Sequence, residues 1–169
     1  MNIADKAKKI VMGDEIRLIG LTGEAGSGKD AVGQILSNYH GYIRESFKEN
    51  IIYPLANIFD INPSTFCDRE LKEKPSASLF GKSPREVMQS FGTDWGRNMI
   101  HPDIWVNHTK MNIRQLLDKN LKVVITDIRY NNEAEMIRDL GGEIWKIDRP
   151  DNPFKIDTSH CSENGIADD

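Results

Sequence analysis

The segment at residues 23–30, with the sequence GEAGSGKD, constrains the fold of this chain more than any other. It joins an apolar, strand-like stretch at 16–22 to a helix-like stretch at 31–36. Glycines let the backbone pass close to phosphate oxygens, and successive N–H groups at the helix N-terminus then face the anion. The spacing matches the phosphate-loop pattern G-x-x-x-x-G-K-[ST] except at its last position, where Asp30 stands. The alternative is a glycine-rich turn that binds no ligand.

The side chains of this loop are candidates for binding a nucleotide and its metal. Lys29 adds a mobile positive charge for the outer phosphates. A carboxylate beside a triphosphate is repelled unless a cation lies between them, so Asp30 is a candidate Mg²⁺ ligand. The alternative for Asp30 is a simple favourable charge at a helix N-terminus. The predicted cofactor-binding residues are Gly23, Ala25, Gly26, Ser27, Gly28, Lys29, Asp30, Ala31 and Arg149.

Strand-like and helix-like stretches alternate along the chain, which predicts an α/β fold with a mainly parallel sheet. Pro54 is expected to mark the first turn of a short helix. The charged stretch 67–81 predicts a short helix followed by a mobile loop. The predicted strands are 17–22, 42–47, 121–126 and 143–148, and the predicted helices after the first, which ends near residue 38, are 51–59, 83–97, 102–119 and 132–140.

Composition limits the classes of partner. The net charge of −4 argues against a chain that coats nucleic acid. Cys67 and Cys161 do not have the spacing of a metal site or a redox pair. The first 15 residues are polar, and no stretch approaches membrane-spanning length. We therefore expect one cytoplasmic domain that binds neither nucleic acid nor a membrane.

Charged residues follow the predicted strands, where ligands bind in parallel sheets. Asp127 closes an apolar strand and is a candidate to hold Mg²⁺ or to accept a proton, the alternative being a helix cap. Arg129 and Arg149 also follow strands, and Arg85 shares a predicted helix face with Gln89. Guanidinium groups bind phosphate bidentately, although a lone arginine is more often a solvated surface group.

Several motifs together resemble one family. They are GSGKD at 26–30, DRELKE at 68–73, SPR at 83–85 followed by MQ and GTDWGR, DIR at 127–129 followed by NEAE, and the stretch from Gly141-Gly142 to Arg149-Pro150. In this order they are similar to the phage-type deoxynucleoside monophosphate kinases. Ala31 departs from the pattern, because the family often has threonine there. The family's Pro-Leu-Lys after the second strand is also missing, and relatives usually continue beyond the position of Asp169 into another strand and helix.

The resemblance implies a three-layer P-loop kinase fold. Its parts would be a leader at 1–15, a helical substrate-binding insertion at 48–119 and a lid-like tail at 149–169. It further implies transfer of the γ-phosphoryl group of ATP to a deoxynucleoside monophosphate, with Mg²⁺. The alternatives are a kinase of another acceptor, such as dephospho-CoA or a sugar acid, and a nucleotide-binding protein without turnover. The candidate assembly is a homodimer.

The resemblance also assigns roles to residues. The expected catalytic residues are Lys29, Arg85, Asp127 and Arg129, and the expected metal ligands are Asp30 and Asp127. The residues expected at or near the acceptor are Phe47, Arg69, Arg85, Gln89, Thr93, Asp127, Arg129 and Glu133.

Overall fold

A computed structural model describes residues 16–68 and 70–150. The chain forms two compact units, one built from the residues up to Ser46 and from Lys110 onward, the other from Phe47–Thr109. The predicted leader at 1–15 lies outside the described residues, and so do residues 151–169 of the predicted tail. Within the described ranges, no helix is both long enough and apolar enough to cross a membrane.

In the described part of the first unit, four parallel strands form a sheet in the order β2-β3-β1-β4. The central strand β1 pairs on one side with β3, where Leu18 faces Val123, and on the other side with β4. All four strands lie inside the stretches predicted from the sequence. Their bounds are β1 Leu18–Thr22, β2 Tyr42–Glu45, β3 Lys122–Ile125 and β4 Glu143–Lys146.

Five α-helices are found in the described residues: α1 Lys29–His40, α2 Glu49–Phe59, α3 Pro84–Gln89, α4 Ile104–Asp118 and α5 Asn131–Asp139. Successive residues of β1 face opposite sides of the sheet. Ile19 and Leu21 pack with Leu36 of α1, whereas a Cβ at Gly20 would lie 3.3 Å from Ile137 of α5. Helices therefore cover both faces of the sheet, which confirms the predicted α/β fold. The core on the α1 face consists of Ile19, Leu21, Leu36, Tyr42, Val124, Trp145 and Ile147.

The second unit is helical. Helix α2 begins at Glu49, and Pro54 lies inside it, so the expectation that Pro54 opens a shorter helix is wrong. The proline removes only one backbone hydrogen bond, and burial of Ile52 and Leu55 on the same helix stabilises the longer form. The core of this unit contains Ile52, Leu55, Ala56 and Phe66, with Phe59, Val87, Met88 and Phe91 packed against them.

Helix α3 begins as the sequence predicts. The Ser83 side chain accepts the backbone N–H of Glu86, and the Glu86 carboxylate accepts the backbone N–H of Ser83. The Ser83 backbone N–H lowers the pKa of Glu86 most, and the Ser83 hydroxyl, which also donates to the Glu86 carboxylate, lowers it further. Beyond Gln89 the chain continues as a π-helix over Ser90–Ile100, where Gly96 leaves room for the Trp105 ring. The predicted helix to residue 97 is therefore present, but its second half is more loosely wound than an α-helix.

The charged stretch 67–81 differs from its prediction. It contains two short 3₁₀ turns, Leu71–Glu73 and Ala77–Leu79, and an antiparallel bridge between Ser76 and Lys82. A longer helix is opposed by Pro75, which has no N–H to donate and disfavours helical backbone in the residue before it.

Candidate active site

The turn after β1 has the backbone of a phosphate loop. Gly23 and Gly28 adopt φ angles of 138° and 102°, which side-chain-bearing residues rarely adopt. A Cβ at Gly23 would lie 2.2 Å from the carbonyl oxygen of Ile147, at the end of the neighbouring strand β4. Gly28 is the N-cap of α1, so the helix N-terminus opens directly from the loop. The glycines therefore shape a tight turn with backbone N–H groups near a helix N-terminus, as phosphate binding requires.

Two side chains of the loop fit an anionic ligand. The Ser27 hydroxyl is buried and, within the part of the chain that the structure describes, has no hydrogen-bond partner. Buried hydroxyls normally have a partner, and a ligand oxygen would supply one. The Lys29 ammonium donates to the carbonyl oxygens of Gly23 at 2.6 Å and Glu24 at 2.7 Å. The Lys29 side chain thus crosses the loop that is expected to bind the phosphates.

Asp30 lies in the first turn of α1, and its carboxylate is held from β2. Arg44 Nη2 lies 3.4 Å from Asp30 Oδ1, and Arg44 Nη1 donates to Gln34 Oε1 at 2.8 Å. Gly33 lies between Asp30 and Gln34 on α1. A side chain at Gly33 would clash with Thr126, because an added Cβ would lie 2.5 Å from the Thr126 methyl carbon. The Asp30 side chain is 70% exposed, so it is accessible to a hydrated cation. An exposed carboxylate beside a phosphate loop fits Mg²⁺, which is commonly bound through one or two carboxylates together with substrate phosphates.

Asp127 is the second carboxylate of the site and is fixed from three sides. It follows β3, which is the neighbour of β1, and so lies at the same edge of the sheet as the loop. The N–H of Thr126 donates to Glu45 and the N–H of Ile128 donates to Leu21, which ties the backbone to both adjacent strands. Its side chain is buried and accepts a 2.7 Å hydrogen bond from the Ser46 hydroxyl. The structure thus places Asp127 as predicted and adds Ser46 as its partner.

Replacing Ser46 with alanine tests this support. Ser46 directly follows β2 and is itself buried, so the variant removes a bond to a charged group without opening the surface. If Asp127 holds a metal as predicted, we expect turnover to fall by about 10-fold, the size of effect that follows loss of a partner that orients such a carboxylate. Ser37→Ala on α1 is the control and leaves turnover unchanged. Equal turnover of Ser46→Ala and wild type would contradict the role.

Arg129 and Glu133 lie beside Asp127. The Arg129 side chain is exposed, whereas Glu133 is only 2% exposed. Glu133 Oε2 accepts the backbone N–H groups of Arg129 at 2.7 Å and Tyr130 at 3.1 Å. Glu133 therefore holds the turn that carries Arg129, and the predicted contact of both residues with the acceptor remains a prediction.

Three of the predicted acceptor residues of the second unit lie on one continuous helical segment. Arg85 and Gln89 are four residues apart on α3 and share a face, and Thr93 follows in the π-helix. The Arg85 Nε donates to both carboxylate oxygens of Glu73, at 2.8 and 2.9 Å. Phe47 is buried, with 4% of its surface exposed. Contact of Arg85, Gln89, Thr93 and Phe47 with the acceptor stays a prediction.

Sequence reasoning missed the partners of these residues rather than the residues themselves. Ser46, Arg44 and Glu73 were absent from the expected site, although Ser46 lies near the end of the predicted strand 42–47 and that position was a usable signal. Arg149 follows β4 with an exposed side chain, and Arg69 lies outside the described residues.

Comparison with known proteins decides the family. A family model described as deoxynucleotide monophosphate kinase matches residues 80–168. The putative deoxynucleotide monophosphate kinase of Acanthamoeba polyphaga mimivirus is 36% identical over 156 residues, which cover 86% of this chain and 80% of that protein. The chain belongs to the deoxynucleotide monophosphate kinase family. The deoxynucleoside-5'-monophosphate kinase of Escherichia phage T5 is 32% identical over 120 residues, which cover 68% of this chain and about half (46%) of the phage protein.

Membership in the deoxynucleotide monophosphate kinase family confirms the resemblance drawn from the motifs and places the chain among the phosphotransferases. The mimivirus match covers most of the chain, whereas the family model begins at residue 80, beyond the phosphate loop. The phosphate-loop interpretation therefore rests on the geometry of the loop, and the family assignment rests on matches that together span most of the chain.

Proposed function

We propose that this chain transfers the γ-phosphoryl group of ATP to deoxynucleoside monophosphates and so forms deoxynucleoside diphosphates. The observation that carries the proposal is the placement of a phosphate loop and a buried carboxylate, Asp127, after the neighbouring strands β1 and β3 in a chain of this kinase family. Family membership favours this reaction over transfer to dephospho-CoA or a sugar acid.

The donor side of the reaction rests on the loop. Its backbone N–H groups, the Ser27 hydroxyl and the Lys29 ammonium would bind the β- and γ-phosphates of ATP. Asp30 and Asp127 would hold Mg²⁺, which when bound supplies positive charge to the phosphate oxygens. Arg149 is a further candidate on the donor side. Phosphoryl transfer requires little covalent chemistry from the protein. The rate therefore depends on how these side chains orient the reactants and stabilise their charge.

On the acceptor side, Arg85 and Arg129 would bind the monophosphate and orient it for in-line attack. Guanidinium groups suit both tasks because they bind phosphate bidentately and neutralise the charge that spreads over the transferring oxygens. Gln89, Thr93 and Phe47 would contact the rest of the nucleotide. Glu133 would position Arg129 for the acceptor, because its carboxylate binds the backbone of the turn that carries Arg129. The partners of this protein would then be free nucleotides, and the reaction would take place in the cytoplasm.

A coupled assay that detects ADP tests the proposal. Each of the four deoxynucleoside monophosphates is supplied with ATP and Mg²⁺, and the diphosphate product is identified by chromatography. We expect ADP and a deoxynucleoside diphosphate in equal amounts with at least one acceptor. Reactions without acceptor and with dephospho-CoA are the controls. ADP release that does not depend on any deoxynucleotide would contradict the proposal.

A further inference from the structure

The segment before α3 contains a turn whose backbone is fixed. Asp68 Oδ1 accepts the N–H groups of Glu70 and Leu71, both at 2.9 Å, and the bond from Leu71 contributes most to the lowered pKa of Asp68. The 3₁₀ turn Leu71–Glu73 follows directly, and the N–H of Lys74 closes it on Leu71. The backbone of Glu73 is therefore held by hydrogen bonds on both sides.

Arg85 is fixed in the same way at the start of α3. It is the second residue of the helix and lies between Ser83 and Glu86, which cap each other reciprocally. A capped first turn restricts the backbone there. The side chains of Glu73 and Arg85 thus extend from two backbone segments fixed by hydrogen bonds, and they contact each other.

The contact between Glu73 and Arg85 is closer than the neighbouring ion pairs. Both oxygens of Glu73 lie within 2.9 Å of the Arg85 Nε, whereas Lys74 lies 3.7 Å from Glu70 and Lys82 lies 3.9 Å from Glu86. The Arg85 side chain is 26% exposed and that of Glu73 is 49% exposed. An ion pair with this exposure contributes little to folding, so stability alone does not explain its geometry.

We propose that Glu73 is a positioning residue for Arg85, an inference that rests on the proposed function. By binding Nε, Glu73 fixes the rotation of the guanidinium plane and so the direction of its two terminal nitrogens. An arginine held in this way needs little ordering when the acceptor phosphate arrives, since immobilising a long side chain is costly. The negative charge of Glu73 also offsets the positive charges of Arg85 and of Lys72, which lies 3.9 Å away. Glu73 therefore serves orientation in the transition state rather than affinity for the anion.

Replacement of Glu73 by glutamine tests the inference through the separation of kcat from KM. Glutamine keeps one acceptor oxygen but loses the charge and the second oxygen, so it holds the Arg85 Nε less firmly. We expect kcat to fall by about 3- to 10-fold, the equivalent of one side chain left to be ordered. We expect the KM of the deoxynucleoside monophosphate to remain unchanged or to fall, because a negative charge near the anion is removed. Glu70→Gln removes the same charge from the same segment and leaves both constants at their wild-type values. Thermal unfolding of both variants shows whether the segment remains folded.

A double-mutant cycle with Arg85→Lys shows whether Glu73 acts through Arg85. Lysine lacks the Nε that Glu73 binds, so adding Glu73→Gln to Arg85→Lys should produce no further loss of kcat. Losses that multiply would overturn the inference, as would an unchanged kcat in the single variant. A lower KM with an intact kcat would also overturn it, because Glu73 would then be a competitor of the phosphate. Failure of the proposed function is distinct, since the wild-type protein itself would form no diphosphate.

Discussion

We expect Lys29→Met to lower kcat/KM for ATP by about 100- to 1000-fold, the size of effect that follows removal of one donor from developing charge. Methionine keeps the length of the side chain and removes the charge. The loss has two physical sources. The outer phosphates lose an ammonium partner, and the loop loses its two hydrogen bonds from Lys29 to Gly23 and Glu24. Steady-state rates with saturating acceptor measure kcat/KM for ATP. Calorimetric titration with ATP measures the affinity for ATP alone.

Lys119→Met is the matched control for this variant. Lys119 is an exposed lysine just after α4, so its replacement changes the net charge equally without touching the loop. Thermal unfolding should place both variants close to wild type, because the Lys29 contacts are local to one loop. Wild-type ATP affinity and turnover in Lys29→Met would refute the phosphate-loop interpretation and the function that depends on it.

Those parts of the fold that local chemistry dictates were predictable from the sequence. Ser83 and Pro84 predicted the start of α3, and the capping bonds of Ser83 are present. Gly141 follows α5 with a φ of 76°, where the predicted helix 132–140 ends. Each of these depends on one to four consecutive residues, so the sequence window contains the whole cause.

Features that depend on packing were harder to predict. The start of α2 at Glu49 depends on burial of its apolar face, which outweighs the local effect of Pro54. The π-helix over Ser90–Ile100 accompanies close contact of Gly92 with Ile51 and of Gly96 with Trp105. Such contacts join residues that are distant along the chain, and propensities do not contain them.

The candidate site shows the same division. The loop motif and the strand-ending carboxylate were identifiable because their chemistry is visible in the residue type and its immediate context. Their partners were not, since Ser46 and Asp127 are 81 positions apart and meet only because β2 and β3 are neighbours. Glu73 belongs to a charged run that resembles an ordinary solvated surface, and only its distance to Arg85 distinguishes it.

The second large effect is expected for Asp127→Asn, in opposite directions for activity and stability. We expect kcat to fall by about 100- to 1000-fold, because a charged group at the proposed reaction centre becomes neutral. Asparagine has nearly the same shape, and its side-chain oxygen can still accept the Ser46 hydroxyl. Taking a carboxylate out of water opposes folding, so the neutral variant should unfold above the wild-type temperature. Steady-state kinetics and thermal unfolding of one preparation measure both quantities.

Changes of opposite sign in activity and in stability distinguish a functional carboxylate from a helix cap. If Asp127 only capped the turn before α5, its replacement would lower stability and leave chemistry nearly intact. Asp118→Asn, at the exposed end of α4, controls for the loss of one negative charge and changes neither quantity. Adding Ser46→Ala to Asp127→Asn extends the test, because a serine that contributes only by orienting the carboxylate has no charged group left to orient in that background. A further 10-fold loss from Ser46→Ala there would show that Ser46 contacts the reactants by itself, and unchanged turnover in Asp127→Asn alone would remove Asp127 from the catalytic site.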